Sequence, residues 1–199
     1  MGRKGWAGSP PTDDADAVRR IVDATVAQVQ QRGPAAVTMS AIAEDLGVTR
    51  RTLYRYFASI DDLFKAVAEQ AFLTYETRLA QATADISDPG EYAIEAVAWI
   101  VETLPGEPLL TLLLEVGHTD SFTASMMAPE VIANCREFLL QRRVDWSTVA
   151  PTEQALDELV ELLLRLIQSM VIAPPQPART GAELRRFLRR WLEPALSAG

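Results

Sequence analysis

Between Leu46 and Ser59 the chain carries three arginines, Arg50, Arg51 and Arg55, and no acid. They stand with Thr49, Thr52, Tyr54 and Tyr56 in the run GVTRRTLYRYF. The chemistry open to such a set is recognition. A guanidinium presents paired donors that match O6 and N7 of guanine, the commonest specific contact to a base edge, with about 1–3 kcal/mol of discrimination per good pair. Arg50, Arg51 and Thr52 fall in a first helical turn, where side chains reach base edges, and Tyr54 suits a thymine methyl or a phosphate. The competing reading of Arg50 and Arg51 is a solvated cationic face, and Arg55 is the least distinctive of the three.

Two short helices must position these residues. Met39, Ile42, Ala43 and Leu46 recur at the spacing of one helix face. Thr38 precedes them as a cap, and Gly47 follows as a residue free to take positive φ. Thr49 then caps a second helix expected through Arg50 to Tyr56. Helix, glycine turn, helix is the layout whose second helix enters the DNA major groove. Ahead of it, Asp13 to Arg32 reads as an amphipathic helix with Val18, Ile21, Val22, Val26 and Val29 as its buried stripe. Asp16–Arg20 and Arg19–Asp23 are its i,i+4 pairs, and Gly33-Pro34 is its stop. Behind it, Ser59 and Asp62 resemble a capping box opening a long helix through Leu63, Val67, Tyr75 and Leu79. Residues 1–12, MGRKGWAGSPPT, read as a poorly ordered tail, with Arg3 and Lys4 either solvated or reaching a minor groove.

The 199 residues suffice for a real core, and apolar positions recur mostly with helical period, so the expected fold is all-α, with about nine helices. The net charge of −8 argues against a binder working by bulk positive charge. The charge is uneven: residues 1–76 hold 9 Lys+Arg against 10 Asp+Glu, and residues 77–199 hold 10 against 17. A local cationic face on an acidic protein suits a reader of short sites. One cysteine allows no intrachain disulfide, and no membrane span or signal-peptide pattern is seen, so a soluble cytoplasmic protein is expected. With one His, one Cys and no Gly-rich phosphate loop, a catalytic triad, an N/S metal site and an enzymatic role are disfavoured. No cofactor is expected.

Beyond Ser87-Asp88-Pro89-Gly90 every segment reads as helix: Glu91 to Leu104, Pro108 to Val116, Pro129 to about Arg143, Pro151 to Ile172 and Thr180 to Leu196. The stretch from Tyr92 to Phe138 holds more bulky and soft side chains than packing needs. Trp99, Leu112, Phe122, Met126, Met127 and Phe138, with Cys135, are therefore candidates to line a small-molecule cavity, and Glu115 and His118 are its polar handles. The alternatives are a core role for the apolar residues and Cys135, and a helix cap or surface role for His118. On the last two helices the apolar residues exceed what one face can hide. Leu159, Leu163, Ile167, Leu184, Phe187, Leu188 and Trp191 are expected to meet a second subunit, with burial inside the monomer as the alternative. Arg185, Arg186, Arg189 and Arg190 take the opposite face of the last helix.

The run VTMSAIAEDLGVTRRTLYRYFASIDDLFKAV, Val37 to Val67, resembles the tetracycline-repressor (TetR) family of bacterial regulators, most specifically in GVTRRTLYRYF followed at once by SIDDLF. The resemblance implies a reading domain over 13–58 and a helical ligand-binding and dimerisation domain over 59–199. It implies a homodimer on double-stranded DNA, at a palindromic operator with half-sites about 34–36 Å apart or a multiple of that. Thr38, Thr49, Tyr56 and Lys65 match the family's phosphate contacts, which fix register. For Thr38 and Thr49 the alternative is a cap alone, for Tyr56 a cover for the core, and for Lys65 a pair with Asp61 or Asp62. The function so implied is a repressor released by a small-molecule effector, with an activator as a variant. The competing class is an all-α ligand-binding or protein-interaction module that no longer reads DNA.

Overall fold

A computed structural model describes residues 5–107, 109, 110 and 127–196. Among them are eight α-helices and no strand: α1 Asp14–Arg32, α2 Met39–Leu46, α3 Arg50–Tyr54, α4 Ile60–Ala82, α5 Pro89–Thr103, α6 Pro129–Leu140, α7 Glu153–Ile172 and α8 Gly181–Leu196. The expected all-α class is observed. Two compact units divide the described residues. One runs to Thr74 and takes in Glu107, Leu109 and Leu110, and the other holds Tyr75–Gly106 and the residues from Met127 on.

The first unit packs α1, α2, α3 and the start of α4 around Ile21, Ile42, Leu53, Leu63 and Val67, all inaccessible to solvent. Its helix ends carry the expected chemistry. The Asp13 carboxylate accepts the Asp16 N–H at 2.7 Å, and the Thr38, Thr49 and Ser59 hydroxyls accept those of Ala41, Thr52 and Asp62 at 3.1, 3.2 and 3.1 Å. Gly47 ends α2 in the left-handed conformation, at φ 66° and ψ 27°. Two buried polar residues knit α1 internally and to its neighbour: Thr25 Oγ1 donates to the Ile21 carbonyl, and Gln28 Nε2 donates to Asp45 Oδ2 at 2.5 Å.

In the second unit α5 is the shared wall. Ala93 and Ala98, without measurable exposure, let α7 and α8 approach it closely. Leu163 and Ile167 of α7 and Leu184, Leu188, Leu192 and Leu196 of α8 close this core. A second cluster gathers Leu79, Tyr92, Leu139, Trp146, Leu156 and Val160, with the Tyr92 and Trp146 rings edge-on at 5.5 Å.

Several expectations are corrected. Arg19 bonds to Asp16, not Asp23; Asp16 also holds Arg20 at 2.9 Å, and Asp23 accepts from Gln70 instead. α3 stops at Tyr54 because the Tyr56 N–H bonds to the Leu53 carbonyl at 2.9 Å, tightening the last turn as Phe57 enters the core. α5 starts at Pro89, with Asp88 as its cap, and α6 ends at Leu140. Gly5–Thr12, expected to be loose, is fastened to the first unit, since Trp6 packs on its core and the Asp16 carboxylate accepts the Thr12 N–H at 3.1 Å. Of the residues expected at a subunit interface, Leu163, Ile167, Leu184 and Leu188 are already covered within their own unit. Leu159 and Phe187 are half-buried, and Trp191 stands 66% exposed. The arginines of α8 are not simply solvated: Arg185 bridges Glu95 and Glu102, and Arg189 holds Glu91, all on α5.

Candidate nucleic-acid interface

α3 is only five residues long, so its stability comes from its neighbours. Leu53, inaccessible to solvent, is its anchor in the core. With Leu53 turned inward, Arg50, Arg51, Tyr54 and the following Arg55 face outward and are exposed, while Thr52 is half-buried. Thr49, Arg51, Thr52, Tyr54 and Arg55 together line one open concavity of about 510 Å³, which has no carboxylate in its lining. Within it Thr49 Oγ1 and Thr52 Oγ1 lie 3.0 Å apart, so the capping threonine and its neighbour are fixed with respect to each other.

The far edge of this surface is tied to the start of α1. The Tyr56 hydroxyl donates to Asp14 Oδ1 at 3.1 Å, Arg55 donates to the Tyr56 hydroxyl, and the Arg55 guanidinium stacks 4.5 Å from the Tyr56 ring centre. Arg55 and Asp14 are 3.9 Å apart. Arg55 and Tyr56 are thus held as one piece by a carboxylate that the sequence pattern does not single out. Asp14 is 42 positions from Tyr56, so no local periodicity could have linked them. Thr38 and Lys65 are exposed in the same unit, and Thr38 is also the α2 cap.

Asp16 sits just behind. The Thr12 N–H holds its carboxyl below the usual carboxylate range, with Arg20 and Arg19 adding to the effect against the opposing pull of burial.

Of the residues expected to line a ligand cavity, Leu112, Glu115, His118, Phe122 and Met126 lie outside the described residues, as do Arg3 and Lys4. Met127 is half-buried. Trp99, Cys135 and Phe138 come together against the second cluster of the second unit. Trp99 stacks on Tyr75 with ring centres 4.8 Å apart, the Arg78 guanidinium lies 5.6 Å from the Trp99 ring, and the Tyr75 hydroxyl is 2.7 Å from Thr103 Oγ1. Arg142 stacks 4.4 Å from Phe138. Burial, and then the Glu76 carboxylate, push the Cys135 thiol up to about 11. Tyr75, Arg78 and Arg142 were missed in the sequence. The i,i+3 spacing of Tyr75 and Arg78 and the i,i+4 spacing of Phe138 and Arg142 are the signals that would have found them. Among the described residues no group of three His, Cys, Asp or Glu could hold a metal ion, and no helix is long and apolar enough to cross a membrane.

Residues 21–67, from the middle of α1 to the start of α4, match the model of the family described as bacterial regulatory proteins, tetR family. An uncharacterised HTH-type transcriptional regulator of Mycobacterium tuberculosis is 31% identical over 94 residues, 47% of this chain and 46% of that protein. The chain thus spans about half the length of the curated relatives it matches. The TetR family repressor AlkX from a Dietzia strain, implicated in biodegradation of n-alkanes, superposes with a TM-score of 0.56 at 19% identity, covering 88% of this chain and 91% of that one. FadR of Thermus thermophilus, a TetR family repressor solved with lauroyl-CoA, gives a TM-score of 0.53 at 18% identity over 90% and 94% of the two chains. At these identities the two structures speak for the fold alone. The matched residues are those that build and present α3, and it is over this stretch that the chain is similar to the TetR family of bacterial regulatory proteins.

Proposed function

We propose that the protein is a sequence-specific DNA-binding transcriptional regulator, and within that class a repressor that leaves a palindromic operator when a small molecule binds. The observation that carries the reading is the acid-free concavity on α3, where Arg51, Thr52, Tyr54 and Arg55 share one surface. Arg50 and Arg51 are the base readers. Thr38, Thr49, Tyr56 and Lys65 are the phosphate contacts that set register. Thr38 and Thr49 serve as caps as well, so each ties its DNA contact to a helix start.

The working form is a homodimer, since one five-residue helix reads only a few base pairs and a two-fold pair doubles the site. Its partner-facing residues are the exposed Leu162 and Trp191 with the half-buried Phe187, and not the leucines covered within the unit. The effector binds in the second unit against Trp99, Cys135 and Phe138, and acts by preferring one of two states of the pair. Helix α4 has residues in both units and is the element through which that preference is passed on.

Selection of bound duplexes from a random pool tests the reading. The expected product is a short palindrome. A pool that stays unenriched, with the protein monomeric by light scattering, refutes it and favours a helical ligand-binding or interaction module.

A further inference from the structure

α3 is too short to hold its own place, and Leu53 anchors it at a single point. Its entrance is Gly47–Val48, the turn that leads from the end of α2 straight into Thr49. The N-terminal segment lies against that turn. A Cβ placed on Gly5 would stand 3.5 Å from the Gly47 carbonyl oxygen and 3.9 Å from Val48 Cγ1, so the Gly5 backbone runs alongside both.

Trp6, the next residue, has a backbone φ of 61°, in the left-handed region. A bulky residue keeps that conformation only where its surroundings hold it. Here the hold is the indole, packed against the first unit's core. The Gly8 N–H bonds to the Gly5 carbonyl at 3.3 Å and the Ser9 N–H to the Trp6 carbonyl at 3.0 Å, closing a tight turn around it. Further on, Arg20 donates to the Ser9 carbonyl at 2.7 Å, and the buried Asp16 accepts the Thr12 N–H at 3.1 Å. Residues 5–12 thus form a strap, fastened to α1 at one end and laid against the entrance of α3 at the other. A recognition helix set in place beforehand loses less freedom when it docks.

We propose that Trp6 is a positioning residue for DNA recognition: its indole pins the Gly5 backbone against the Gly47–Val48 turn and so fixes where α3 begins. Trp6 acts through α3 and contacts no DNA itself. The proposal rests on the DNA-binding reading above, but its first consequence, a held turn, belongs to the free protein. The amides that report it are those of Gly47, Val48, Thr52 and Leu53, which bond to the carbonyls of Glu44, Ala43 and Thr49.

The test joins hydrogen exchange on the free full chain to anisotropy titrations against its selected duplex and a random one. In Trp6→Ala the four turn amides should exchange about tenfold faster, a rise exceeding any at Ile21 and Val22 of α1. Affinity for the selected duplex should fall about tenfold, with the salt slope unchanged because no phosphate contact is lost, and the random duplex should bind as before. Val26→Ala trims the same core from α1 and is the control, expected to leave the turn amides and the duplex preference as they are. Arg20→Ala releases the Ser9 carbonyl with the indole still in place, and should shift the same amides and the same affinity by a smaller factor. If Trp6→Ala loses its helical far-UV spectrum, Arg20→Ala decides. Turn amides that exchange as in the wild type, or that quicken with no loss on the selected duplex, overturn the proposal. A loss shared equally by Val26→Ala also overturns it, since Trp6 would then be only a prop for the fold. A wild type that prefers no duplex overturns the DNA-binding reading, while the exchange result still decides whether the strap holds the turn.

Discussion

Arg51 offers the sharpest test of how the exposed helix reads its site. Its side chain is exposed, lines the open concavity and is held by no ion pair within the described residues. Truncation to alanine therefore removes little from the fold, and its effect reports the contact to DNA. One good bidentate contact to a guanine edge discriminates by about 1–3 kcal/mol, which corresponds to about a 5- to 150-fold loss of affinity. The loss should fall on one position of the half-site, so the variant bound to the best site and to a site altered at that position should differ far less than the wild type does. Lys65→Ala is the control. A phosphate contact weakens binding on all sequences alike and makes the salt slope shallower by about 0.9. Both variants are measured by anisotropy titration on a set of single-base operator variants at three salt concentrations. If Arg51→Ala weakens every duplex equally and flattens the salt slope as Lys65→Ala does, the base-reading role is refuted. If it binds unchanged, the assignment of α3 is refuted as well.

Three further outcomes follow from the same geometry. Asp14→Asn frees Arg55 and Tyr56 from a carboxylate that competes with phosphate, so DNA affinity should rise by a factor of about 2 to 5, most at low salt; unchanged affinity would mean the carboxylate is not displaced. Gly47→Ala places a Cβ in left-handed backbone at φ 66° and should cost about 1–2 kcal/mol in urea unfolding, whereas Ala in place of the exposed Ser40 should change stability by no more than about 0.5 kcal/mol. Cys135, its thiol pushed up to about 11, should label slowly with a thiol reagent at pH 7.5 and speed up as the pH approaches that value; rapid labelling at neutral pH would show that the thiol is not buried as described.

The reading unit was legible in the sequence because its signals are local. Thr38, Gly47, Thr49 and Ser59 each act within a few residues of their own position, and each makes the hydrogen bond or turn that its type and place foretell. What was not legible depends on partners far along the chain. Trp6 stands among glycines and prolines and reads as tail, since only the folded core of the first unit gives its indole somewhere to go. The leucines of α7 and α8 look like too much apolar surface for one monomer. The alanines of α5 that let both helices sink against it carry no signal of that pairing. The α8 arginines share this blindness, because Glu91, Glu95 and Glu102 lie more than eighty residues upstream. Asp14 carries no local sign of its role either, because its bond to Tyr56 belongs to the tertiary structure.

The closure of α8 on α5 also sets an order on biosynthesis. Leu184, Leu188, Leu192 and Leu196 are core of the second unit, so nascent Ala93, Ile94 and Val97 have no lasting cover until the last helix has left the ribosome. The buried residues of the core cluster around α3 all precede Ala68, so that cluster can form while much of the chain is still being translated. A message cut short after α7 would yield a polypeptide able to shape its recognition helix but with a sticky, uncovered second half, a natural substrate for chaperones and proteases.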